Sequence, residues 1–139
     1  MAFVIIQTKQ NELPSFHNKA EWILNKDGYL DNILQEEDNL YLLGKENEAV
    51  VSILAYRIDR ISISLLYITT KEGFKRRGYA TKLVDFLKSM YINKLSITGW
   101  PLNDEAMCAM KKWGFKEKKI SIKGNSFWEI PCQKDEKAD

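Results

Sequence analysis

Leu65-Leu66-Tyr67-Ile68, a loop, and then Lys75-Arg76-Arg77-Gly78-Tyr79-Ala80-Thr81 is the stretch from which the rest of the chain is read. The apolar run before the loop has the length and composition of a strand. From Ala80, the apolar residues Ala80, Leu83, Val84, Leu87 and Tyr91 fall on one stripe, with Thr81, Lys82, Asp85 and Lys88 opposite, and predict an amphipathic helix. A strand, a basic turn and a helix N-terminus together make a cradle for an anion. The first N–H groups of a helix have no intrahelical carbonyl and sit at the positive end of its dipole, so phosphate oxygens are favoured there. Gly78 permits close backbone approach or a positive φ, and Ala80 keeps the turn free of bulk. Lys75, Arg76 and Arg77 add long-range attraction and direct contacts. The turn is neither a P-loop of the form GxxxxGK(S/T) nor a GxGxxG dinucleotide turn.

Upstream, Phe3-Val4-Ile5-Ile6-Gln7-Thr8 reads as a first strand and residues 15–37 as two short helices broken near Gly28. Leu40–Leu43 and Ala49–Tyr56 flank Gly44 and the polar Lys45–Glu48, the pattern of a hairpin. The second of these strands is apolar on both faces, as a central strand covered on both sides must be, whereas Ile61–Ile68 alternates after a turn at Asp59-Arg60. Downstream come a short strand at Leu95–Thr98, a break at Gly99-Trp100-Pro101, and a second helix with Asn103 suited to its N-cap and Gly114 to its C-terminal turn. Ile120–Lys123, a Gly124-Asn125 turn and Ser126–Pro131 predict a closing hairpin. The order β, αα, three antiparallel strands, α, β, α, ββ implies an α+β or mixed α/β sheet with helices packed on it. At 139 residues the expectation is one domain, residues 1–132, with a charged, frayed tail at 133–139.

The net charge of +2 excludes a protein that clamps nucleic acid with its whole surface, so basic function must be local. Residues 71–94 hold seven basic and two acidic side chains, and residues 111–123 six and one. Asp27, Asp31, Glu36, Glu37 and Asp38 form an acidic run without Lys or Arg between them. Two cysteines, Cys108 and Cys132, and a single histidine, His17, exclude a disulfide scaffold and a Cys/His zinc motif. No apolar stretch approaches the ~20 residues of a spanning helix, and the first residues lack signal-peptide features. The expectation is a cytoplasmic protein without a membrane partner and with reduced thiols.

The pattern basic-x-x-Gly-x-Ala after an apolar strand resembles the acetyl-CoA pyrophosphate loop of the GCN5-related N-acetyltransferase (GNAT) family, which usually reads Gln/Arg-x-x-Gly-x-Gly/Ala. Further on, Asn103-Asp104-Glu105-Ala106 through Trp113-Gly114-Phe115 is similar to the family's Asn-x-x-Ala helix ending in Gly-Phe. The resemblance covers the order of elements from Phe3 to Pro131. It implies a mixed, mostly antiparallel sheet that splays near Ile68, where the pantetheine arm of CoA pairs with strand backbone. The pyrophosphate would sit on the amides from Arg76 to Thr81, with Lys75 at the first basic position and Asn103 beside the cofactor arm. It also implies acetyl transfer from acetyl-CoA to a primary amine by direct attack in a ternary complex, the backbone amide of Ile68 polarising the carbonyl, with no metal required.

The chain departs from the family pattern at catalytic positions. Where many members have a tyrosine that protonates the departing thiolate, this chain has Met110, which cannot donate a proton. Cys108 lies about 200° around the helix from it and reads as a buried apolar residue. The strand Ile61–Ile68 carries no carboxylate for a general base; Tyr67 there reads as packing and His17 as a surface residue. In the family, the region of the first two helices walls the acceptor site. Glu36 and Glu37, within the acidic run, are therefore candidates for attracting a cationic amine such as a polyamine, an aminoglycoside or a lysine side chain. Two other readings stand beside this one: a silent CoA-binding sensor or assembly module of the same fold, and a nucleic-acid-binding module using the two basic blocks or an RNA-directed acetyltransferase whose acceptor is an aminoacyl-tRNA. Trp100, Trp113 and Trp128 are candidates for a homodimer contact, although core packing is the commoner fate of tryptophan.

Overall fold

The computed structural model describes residues 3–9, 38–47, 49–60, 62–91, 94–100, 104–119 and 126–132. Seven strands and two helices lie among them: β1 (Phe3–Lys9), β2 (Leu40–Glu46), β3 (Ala49–Ile58), β4 (Ser62–Thr70), α1 (Tyr79–Tyr91), β5 (Ser96–Gly99), α2 (Asp104–Lys112), β6 (Lys116–Lys119) and β7 (Ser126–Ile130). The strands form one mixed, mostly antiparallel sheet in the order β1-β2-β3-β4-β5-β7-β6. The helices expected over 15–37, the Gly124-Asn125 turn, the tail, and the candidates His17, Glu36, Glu37 and Asn103 lie outside the described residues. No helix among the described residues is long and apolar enough to cross a membrane.

The chain divides into two compact units. The first comprises Met1–Arg57 and Leu66–Leu83. Here β1 pairs antiparallel with β2, and β2 with β3. Every residue of β3 from Val50 to Tyr56 is buried, as expected for a central strand. The register steps from Gly44↔Ser52 to Lys45↔Val50 and leaves Val51 as a bulge. That extra residue inverts the alternation, and so Val50 joins Ile53 and Ala55 in one core with Tyr41 and Leu43. Ile6, Leu66 and Tyr67 pack against this core, which makes Tyr67 a packing residue.

The bulge also anchors the loop that follows β4. The Lys71 amide donates to the Val51 carbonyl at 2.8 Å. The fully buried Ser52 hydroxyl meets the Thr70 hydroxyl at 3.0 Å and donates to the Thr69 carbonyl at 3.1 Å. The strand therefore ends at Thr70, two residues beyond the expected Ile68, and β2 likewise runs on through the polar Lys45 and Glu46 to a turn at Asn47.

The second unit comprises Ile58–Leu65 and Val84–Asp139. The start of β4 pairs parallel with β5, from Ser62↔Ser96 to Leu65↔Gly99, and β5 and β6 each pair antiparallel with β7. The partner of β7 is Lys116–Lys119, a strand that the sequence pattern missed. A run of lysines hides strand periodicity, yet lysine suits an edge because it discourages further pairing. Helix α2 ends in a Schellman turn: Gly114, at φ 100°, donates to the Lys111 carbonyl, and Phe115 donates to that of Met110. Met110 and Phe115 are both buried, the hydrophobic pair that accompanies this cap. Cys108 is exposed, contrary to the expectation of burial. It shares the i, i+4, i+7, i+8 face with Asp104, Lys111 and Lys112, all exposed, while Met110 lies on the buried side.

Candidate anion site at the start of α1

All of the site's described components, Ile68 and Lys75 to Thr81, belong to the first unit. The loop opens with a tight turn in which the Phe74 amide donates to the Lys71 carbonyl at 3.0 Å, with Gly73 at φ 92°. Positive φ at the third residue defines a type II turn and explains the glycine. The chain is left-handed again at Arg76 (φ 69°) and at Gly78 (φ 79°), but not at Arg77 between them. Alternation of hand gathers successive N–H groups into an anion-binding concavity. The first intrahelical bond runs from the Lys82 amide to the Gly78 carbonyl at 3.0 Å, and so the amides of Tyr79 and Ala80 precede the helix's own ladder. A Cβ built on Gly78 would meet nothing within 4 Å. An anion therefore has open space against the backbone at this residue, and the donor set fits a pyrophosphate.

The expected stripe of α1 is present, with Leu83, Val84 and Leu87 buried and Thr81, Lys82 and Asp85 exposed. Packing of that stripe fixes the helix, and the helix fixes the direction of its first amides.

The three basic residues of the loop have different surroundings. Lys75 makes an ion pair with Glu72 at 3.4 Å, with side chains 48% and 88% exposed, a pair contributing only about 0–1 kcal/mol. Arg77 is committed to Glu46: its Nη1 donates to both carboxylate oxygens, at 3.3 and 3.2 Å. Arg76 is exposed and makes no hydrogen bond or ion pair among the described residues. Lys82 stands over the stacked rings of Phe3 and Tyr79, 5.4 and 5.6 Å from their centroids. The Tyr79 hydroxyl donates to Glu46, and that bond, together with burial, holds its pKa above the ordinary tyrosine value of 10.0.

Sequence reasoning found Gly78 and the basic run but missed Glu46 and Phe3. Glu46 looked like part of a polar hairpin loop, and nothing local marks a partner 31 residues away. Ile68 lies inside β4, partly exposed, two residues before the strand's end. In the second unit, Met110 is buried with its methyl group 3.2 Å from where a Cβ on Gly99 would stand.

No family model matches the sequence, and no curated protein matches it. Solved structures do match the fold. PaiA N-acetyltransferase from Thermoplasma acidophilum, in complex with coenzyme A, superimposes with a TM-score of 0.68 at 14% identity, over 94% of this chain and 99% of that one. AAC(6')-Iy, in complex with the bisubstrate analog CoA-S-monomethyl-acetylneamine, gives 0.64 at 15% identity over 88% and 96%. A GNAT-family structure from Desulfovibrio desulfuricans gives 0.70 at 9% identity over 94% and 99%. At these identities the likeness establishes the fold, and the chain has the GNAT fold.

Proposed function

We propose that the protein is an acetyl-CoA-dependent N-acetyltransferase acting on a primary amine. The observation that carries this reading is the left-handed Gly78 with open space before it at the mouth of α1, in a chain of GNAT fold. Acetyl-CoA supplies an activated acetyl group as a thioester. The amides of the loop and of the first turn of α1, with Arg76, hold its pyrophosphate. The backbone amide of Ile68 polarises the thioester carbonyl. Alignment of the two substrates and stabilisation of the developing oxyanion contribute most of the rate. The acidic run that includes Glu36 and Glu37 draws in a cationic acceptor, in keeping with the acetylneamine moiety bound by AAC(6')-Iy.

The test is thiol release from acetyl-CoA in the presence of polyamines, aminoglycosides and lysine peptides. Release that depends on one amine class, with a higher acceptor KM in Glu36→Gln/Glu37→Gln, is expected; release with none of them contradicts the proposal. The buried Met110, which offers no proton at the place of the family's tyrosine, favours a second reading, a CoA-binding module without turnover. Binding of acetyl-CoA without thiol release would select it.

A further inference from the structure

Glu46, the last residue of β2, has only 9% of its side chain exposed and receives both neighbours of Gly78. Arg77 donates to its two oxygens and Tyr79 donates its hydroxyl. Each of these residues is braced from a second side. The Arg77 guanidinium lies over the Phe74 ring, 4.8 Å from its centroid. The Tyr79 ring stacks on Phe3 at 4.1 Å with an interplanar angle of 11°. Phe3 is in turn opposite Glu46 in the β1–β2 register, and its ring fills the space that a side chain at Gly44 would need.

We propose that Glu46 is a positioning residue: through Arg77 and Tyr79 it holds Gly78 in the anion-receiving conformation, and Arg77 acts as a strut rather than as a phosphate ligand. This deepens the acetyl-CoA reading and takes its ligand from it. A left-handed backbone at a non-glycine residue, as at Arg76 beside Gly78, persists only where its surroundings over-determine it, and the tie to β2 supplies that constraint. A guanidinium donating to both oxygens of a largely buried carboxylate has its charge matched, and moving it to a phosphate would leave that carboxylate unpaired. Arg76, exposed and without such a partner among the described residues, is the arginine left for the ligand.

The test combines Glu46→Gln, Arg77→Met and the double variant, with two readouts. One is the affinity for acetyl-CoA by calorimetry; the other is amide hydrogen exchange over residues 76–81 in the ligand-free protein. Each single change is expected to weaken acetyl-CoA about tenfold, the loss of one charge-assisted connection. The double variant is expected to be no more than about twofold worse than either single, because the two changes cut the same tie. Exchange over 76–81 rises in all three while that of β5 and β7 is unchanged, and with a reactive acceptor the KM for acetyl-CoA rises with kcat held. Tyr79→Phe, which keeps the ring stack and removes only the hydroxyl, gives a smaller rise in exchange and guards against misreading a folding defect. A double variant about a hundredfold weaker would make Arg77 an independent ligand and overturn the proposal. Wild-type exchange in Glu46→Gln would overturn it equally. A wild type that fails to bind acetyl-CoA would refute the acetyltransferase reading instead, and the exchange experiment would still decide the role of Glu46.

Discussion

At the scale of the residue, the loop sets conformation against charge most sharply at Arg76. A non-glycine side chain in the left-handed region costs about 1–2 kcal/mol, and Arg76 sits there at φ 69° while exposed. Arg76→Gly relieves that cost against about 0.4–1 kcal/mol of added chain entropy in the unfolded state. Stability should therefore hold or rise by up to about 1 kcal/mol in urea unfolding, while affinity for acetyl-CoA falls about tenfold as a charge-assisted contact is lost. Stability and affinity falling together would mean that the arginine is structural. Tyr79 gives a second prediction. Its pKa is raised in the folded state, chiefly by the hydrogen bond to Glu46, so the stability it contributes is complete below pH 10 and is lost as pH rises through the folded value. An ultraviolet titration of the tyrosines should lose its high-pH component in Tyr79→Phe, and loss of a component at the ordinary value of 10.0 would contradict the bond. Gly78 was legible in the sequence through its place in the basic-x-x-Gly-x-Ala pattern, because a lone glycine before a helix can equally do no more than shape a turn. The left-handed backbone of Arg76 and the role of Glu46 were not legible, since a positive φ in an arginine and a contact across 31 residues leave no local pattern.

At the scale of the element, periodicity carried the reading where one face is buried and the other wet. The stripe of α1 and the two-sided apolar run of β3 follow from sequence alone for that reason. The bulge at Val51 does not, because it shifts alternation by one residue within a run that is buried on both faces, and yet its carbonyl anchors the loop before α1 through Lys71. β6 was missed because charge, not hydrophobicity, dominates its four residues. The Gly-Phe end of α2 was legible because a Schellman turn demands glycine and rewards an apolar residue after it. Met110 is part of that cap, and this decides what a tyrosine at that position would do. Met110→Tyr should lower stability by about 1–3 kcal/mol through overpacking against Gly99, measured in urea, without raising turnover. Faster thiol release at unchanged stability would show instead that position 110 has room for a working acid.

At the scale of the molecule, a net charge of +2 concealed a local design. Two of the loop's cations are offset by Glu72 and Glu46, and Arg76 is exposed three residues before α1 begins at Tyr79. The order of the described elements was readable from β1 through α2, and the lysine-rich β6 was not. The acceptor is another matter, because the residues assigned to it, Glu36 and Glu37, belong to a stretch where charge alone speaks. The central claim, that the mouth of α1 receives acetyl-CoA, is tested most directly by calorimetric titration of acetyl-CoA into the wild type and into Gly78→Asp, with thermal melts to show that both are folded. The account predicts saturable binding by the wild type and none by the variant, whose carboxylate would occupy the open space before the amides. No binding by a folded wild type, or equal binding by both, would contradict it.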